Sequence, residues 1–151
     1  MTKQQRIDEM NRYREQKKRR RDMLFAPVPG LLFVTLLADQ LWWVWAGLMS
    51  IFAIGSIVYV IQEGKALANL SAEPKAQVAT RNVYWVLSGW YVIIVGSVAS
   101  YKLEAPWWTW ILTIGIAVTL PPLYKRFNEA VQSADTAQPV RSELMTTRGL
   151  M

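Results

Sequence analysis

Cysteine and histidine are both absent from the 151 residues. Without Cys there is no disulfide, no thiolate nucleophile, no iron–sulfur cluster and no thiolate zinc site. Without His the usual general base, the usual haem ligand and the usual transition-metal ligand are missing. Charge is also scarce, with 19% charged residues against 52% apolar ones. The length allows one domain or two very small ones. These gaps exclude more functions than they suggest, and they make the placement of the few charges the informative feature.

The charges avoid four stretches. No Asp, Glu, Lys or Arg occurs in 23–38 after Asp22, in 41–61, in 82–101 or in 105–124. A membrane-spanning helix needs about 20 mostly apolar residues. Leu41–Ile61 and Val83–Leu103 meet this length, and Trp107–Tyr124 is slightly short. Met23–Ala38 is the weakest of the four, because Pro27, Pro29 and Gly30 delay a regular helix until about Val28. A soluble helix shows an apolar stripe beside a charged face. These stretches have no charged face, so the expected fold is an all-α integral membrane protein with four transmembrane helices.

Sixteen of the 17 basic residues fall on one side of such a four-span arrangement, and only Lys102 lies in an outer turn. The positive-inside rule then puts both termini in the cytoplasm. Trp42, Trp43 and Trp45 open the second span, and Trp107, Trp108 and Trp110 open the fourth. Both triplets fall at the outer face, where an indole anchors at the interface. The expected organisation has five parts: a basic tail over 1–22, a first hairpin over 23–64, a cytoplasmic loop over 65–82, a second hairpin over 83–126, and a polar, disordered tail over 127–151. The expected location is a cytoplasmic (inner) membrane or an equivalent energy-transducing membrane.

The two hairpins repeat one another. Trp42-Trp43-Val44-Trp45 and Trp107-Trp108-Thr109-Trp110 lie 65 positions apart, and each follows a short polar turn. Each opens an apolar, Gly-containing helix that ends in charges. Both hairpins leave from and return to the same side, which makes the repeat parallel and not inverted. Each half resembles the small bacterial two-transmembrane domain: a basic segment, one apolar helix, a short turn and a Trp-led second helix. Trp107–Ile116 carries the better match. The second helix of that family often bears a His, which is missing here. The resemblance implies a membrane anchor or interaction module and brings no catalytic residues.

No ionisable residue interrupts the spans, so a proton-coupled pathway has nothing to run on. Asp39 and Glu104 read as solvated turn residues. Small residues recur at helical spacing, the pattern by which helices pack closely in lipid. Gly47 and Gly55 mark the second span. Gly89, Gly96 and Ser100 mark the third, and Thr109, Thr113 and Ala117 mark the fourth. Pro121-Pro122 is expected to end the fourth helix. In the N-terminal tail, Asp8–Arg12 and Glu15–Arg19 have ion-pair spacing. The run Lys17-Lys18-Arg19-Arg20-Arg21 suits anionic lipid heads or an acidic partner surface. Specific RNA reading is disfavoured, because Tyr13 is the tail's single aromatic platform.

No catalytic or metal site is expected, and no cofactor, although a bound lipid or pigment is compatible with the Trp clusters. The expected function is non-enzymatic: a small accessory, stabilising or assembly subunit of a larger membrane complex, of respiratory or photosynthetic type. The alternative is a small channel or transporter acting as a homo-oligomer. Expected partners are membrane lipids and either other subunits or further copies of the chain.

Overall fold

The computed structural model describes residues 1–146, with side chains through Leu144. The last part of the C-terminal tail, including Arg148, lies outside the described residues. Every regular element among the described residues is a helix: α1 Lys3–Gln16, α2 Lys18–Phe25, α3 Pro27–Leu37, α4 Trp42–Ala68, α5 Pro74–Lys102, α6 Trp107–Ala134 and α7 Arg141–Thr146. Two of them, α4 and α5, are long and apolar enough to cross a membrane.

Each helix starts where local chemistry allows it. Thr2 caps α1 in a capping box: its hydroxyl accepts the Gln5 amide, and the Gln5 side chain accepts the Thr2 amide. Pro27 and Pro74 open α3 and α5 at positions where a missing amide costs nothing. Between α2 and α3, Ala26 keeps helical dihedrals. Pro27 and Pro29 nevertheless remove two amide donors, so the Lys18–Leu37 segment is one interrupted rod. The regular part, α3, has only 11 residues. Its length is about 16 Å, half of a bilayer's hydrocarbon core.

The turns at the far end each use one left-handed residue, Leu41 at φ 56° and Glu104 at φ 50°. After α5, the Glu104 amide donates to Tyr101 O and the Ala105 amide to Ser100 O. This double bond pattern closes a helix end and normally selects Gly at the left-handed position. Lys102 Nζ donates to Ala38 O at 2.7 Å, tying the two turns together. The Trp triplets that open α4 and α6 therefore share one end of the molecule.

The helices form an open row and not a closed bundle. α4 packs on α3 and α5, and α6 packs on α5. The main core is not at mid-span. It gathers at the opposite, polar end, around Met10, Leu67, Tyr84, Val131 and Leu144. Helix length explains this. α4, α5 and α6 run 27, 29 and 28 residues, each about 40 Å, against charge-free stretches of about 30 Å. Their polar-end turns project past the apolar stretches and pack on one another as a water-soluble core would.

Three expectations are corrected here. α6 does not stop at Pro121-Pro122 but continues to Ala134. Tyr124, Phe127, Ala130 and Val131 are spaced three or four apart and pack into the core, and this burial outweighs the two lost amide bonds. Residues 135–144 are not a disordered tail, since Gln138, Val140 and Leu144 are buried. The expected Asp8–Arg12 and Glu15–Arg19 pairs do not form among the described residues. The tail's arginines reach distant partners instead.

Candidate functional site

Two buried polar groups at the polar end hold α1 against the rest of the chain. The first joins α1 to α4 and α5. Glu63 stands in the last turns of α4 with 5% of its surface exposed. Arg14 Nε donates to Glu63 Oε1 at 3.0 Å, and Arg14 Nη2 donates to the same oxygen. Tyr84 of α5 donates its hydroxyl to that oxygen at 3.2 Å. Beside Glu63, Gly64 lets α5 approach closely. A Cβ on Gly64 would lie 2.5 Å from Tyr84 Cγ and 2.6 Å from Tyr84 Cβ. Burial alone would lower the Arg14 pKa, but the facing Glu63 charge more than offsets this and holds it above its ordinary value.

The second group centres on Asp135, just past α6. Arg6 Nη1 donates to Asp135 Oδ2 at 2.7 Å and to Gln138 Oε1 at 2.9 Å. Ser71 donates its hydroxyl to Asp135 Oδ2, and the Ala137 amide donates to Oδ1. Gln138 in turn donates to Leu67 O at 2.7 Å. Burial pushes the Asp135 carboxyl up, but the hydrogen bonds from Arg6, Ser71 and Ala137 outweigh it and hold the pKa below the usual range. Lys3 and Glu143 add a third, more exposed pair at 2.6 Å.

Chemically, these carboxylates are committed. The Glu63 oxygen that Arg14 grips also serves Tyr84, and both Asp135 oxygens accept bonds. Such groups hold elements in place and are poorly set up for proton transfer to a substrate. Among the described residues no three His, Cys, Asp or Glu side chains gather to hold a metal ion.

The residues singled out from the sequence fall into three sets. In the basic run, Lys18, Arg19 and Arg20 are exposed. Lys17 instead lies over the Tyr13 ring at 4.4 Å, and Arg21 pairs with Asp22. Trp43, Trp45, Trp107 and Trp108 are exposed, whereas Trp42 and Trp110 are half-buried. The small residues divide. A Cβ on Gly55 would press the flexible end of Leu24, and one on Gly89 would touch Leu120 at 3.3 Å. Ser100, Thr109, Thr113 and Ala117 are half-buried, the last three along one face of α6. Gly47 and Gly96 are corrected as packing positions within the chain, because nothing lies within 4 Å of a Cβ at either. Helix α4 turns its far side to its neighbours at Gly47, as α5 does at Gly96.

Hydroxyls within the helices are occupied locally. Thr35, Ser50, Ser88 and Thr113 each donate to the carbonyl four residues earlier. Ser56 reaches across to Leu24 O at 3.2 Å, next to the proline interruption. Sequence reasoning missed Glu63, Gly64, Asp135 and Gln138. A signal existed for Glu63: it is the first charge after the longest apolar run. Comparison with protein-family models, curated proteins and solved structures finds no match.

Proposed function

We propose that the chain is a non-enzymatic, four-span protein of an inner or equivalent membrane, with both termini cytoplasmic. It serves as an accessory, stabilising or assembly subunit of a larger membrane complex. One observation carries this reading: the polar end is self-contained, but the apolar lengths are not. Only 28% of the apolar window in α4 and in α5 is buried. Gly47, Gly96 and Gly115 meet open space, and Ile51, Ile54 and Val92 near the first two are well exposed. Small residues between exposed apolar ones suit a further helix from another chain. The channel reading, in which Ser100, Thr109 and Thr113 would line a pore, has no specific observation behind it: Thr109 and Thr113 donate to carbonyls of their own helix region.

The test is gentle extraction followed by native mass spectrometry. Wild-type protein should come away with a stoichiometric membrane partner. Gly47→Leu and Gly96→Leu should weaken that association while the isolated chain keeps its thermal stability. A monodisperse monomer without a partner would count against the proposal. The natural lack of Cys also makes single-cysteine labelling clean. Cysteine at Gln4 or Ser133 should label from the cytoplasm, and cysteine at Asp39 from the other side.

A further inference from the structure

A trough runs along α5, on the side facing α3. It exists because α3 leans on α4 and meets α5 only sparsely. Its lower part, about 510 Å³, lies between Phe25, Val28 and Pro29 on one side and Leu87 and Tyr91 on the other. Its upper part, about 400 Å³, continues past Leu32 and Leu36 towards Val98, Tyr101 and Trp110. Trp90 and Ile94 line both parts, so the trough is continuous. From Leu87 to Tyr101 it follows about 21 Å of helix. Each part has the volume of an ordinary ligand site.

The walls carry one charged residue, Arg141, at the polar end. Its guanidinium carbon lies 5.8 Å from the centroid of the Tyr84 ring. Its Nε is buried and makes no hydrogen bond, and no carboxylate pairs with it among the described residues. Arg6 also leaves its Nε unbonded, but it pairs with Asp135, as Arg14 does with Glu63. A guanidinium without a carboxylate partner among the described residues, at the water end of an apolar trough, asks for an anion attached to a hydrocarbon chain. Its planar fork matches a phosphate.

We infer that the trough binds one anionic glycerophospholipid, with the phosphate on Arg141 and an acyl chain along α5 between Leu87 and Tyr101. The inference rests on the membrane reading above. A free phosphate ion would leave the apolar trough unfilled, and a neutral isoprenoid would leave Arg141 without its anion. The site is separate from the Lys18-Arg19-Arg20 surface, which is exposed on α2 and lines neither part of the trough.

The full chain is reconstituted in vesicles holding equal phosphatidylglycerol and phosphatidylcholine, then stripped with mild detergent and weighed by native mass spectrometry. Wild type should retain one lipid, with about a tenfold preference for phosphatidylglycerol, as one charge-assisted contact supplies. Arg141→Gln should bring the preference close to one, and Arg141→Lys should keep part of it. Ile94→Trp, which fills the trough and leaves Arg141 in place, should abolish retention even if the Arg141 variants fold poorly. Replacing Lys18, Arg19 and Arg20 with Gln should change none of this. Equal retention of the two lipids by wild type would mean annular lipid only and would overturn the site. So would selective retention by Arg141→Gln or by Ile94→Trp. Extraction of the protein by alkaline carbonate would be a separate failure, that of the membrane reading itself.

Discussion

Gly64 is a residue whose missing side chain lets α5 lie close against α4. Any side chain there meets the root of Tyr84, which cannot swing aside as the end of a Leu can. Gly64→Ala should therefore lower stability by about 1–3 kcal/mol, the usual range for overpacking. Gly96→Ala, in open space, should be neutral or gain up to about 1 kcal/mol from helix propensity. Thermal unfolding of both variants in the same detergent checks the contrast. The two glycines look alike in the sequence, each inside an apolar or half-apolar helix. Spacing reports which residues share a face but not which face meets a neighbour. Gly64 also sits among Gln62, Glu63 and Lys65, where a polar loop is the natural reading.

At the scale of elements, α1 is docked by charge as much as by apolar contact. Ile7 and Met10 enter the core, while Arg6 and Arg14 make buried pairs on either side of them. Breaking a buried pair from one side leaves the other charge uncompensated. Glu63→Gln, which keeps an oxygen for Tyr84, should cost about 3 kcal/mol. Combining it with Arg14→Met should recover much of that loss, as a double-mutant cycle would read. The Asp135 contact adds a pH dependence. Its native pKa is lowered, so its contribution is fully present above the ordinary carboxylate range near 3.9 and is lost as the pH falls through the lowered native value. Hydrogen-exchange protection in α1 should fall across that acid window, and Asp135→Asn should flatten the dependence. The helical character of α1 was legible, since the first 23 residues contain no Pro or Gly. Its docking was not: Arg14 and Glu63 lie 49 positions apart, and Arg6 and Asp135 lie 129 apart. Local charge spacing pointed to Asp8–Arg12 instead, and a surface pair is too weak to compete with a buried one.

Over the whole molecule, the polar-end cap and the apolar rods divide the work. The rods were the most legible feature, because a charge-free run of about 20 residues cannot keep one helix face in water. The cap was the least legible, since it is assembled from the ends of α1, α4, α5 and α6 and the segment after Ala134. Each contributes only a few apolar positions among polar ones. Removing the residues after Ala134 deletes the partners of Lys3 and Arg6 together with Val140 and Leu144. Such a truncated chain should still insert in a membrane but should lose α1 to limited trypsin digestion, whereas the full chain resists. Equal resistance of the two would show that α1 docks without that clasp.

The clasp between Arg6 and Asp135 also fixes an order of events during synthesis. Arg6 in α1 waits for a partner made 129 residues later, a delay of roughly 6 to 26 seconds at ordinary elongation rates. Throughout that interval Arg6 lacks Asp135, whereas the Glu63 partner of Arg14 follows after only 49 residues. Until then α1 carries one more uncompensated positive charge than it does in the finished fold. Closing the clasp withdraws Arg6 from the surface. Synthesis of the segment after α6 is thus recorded in α1, as a change in what that helix shows to the water around it.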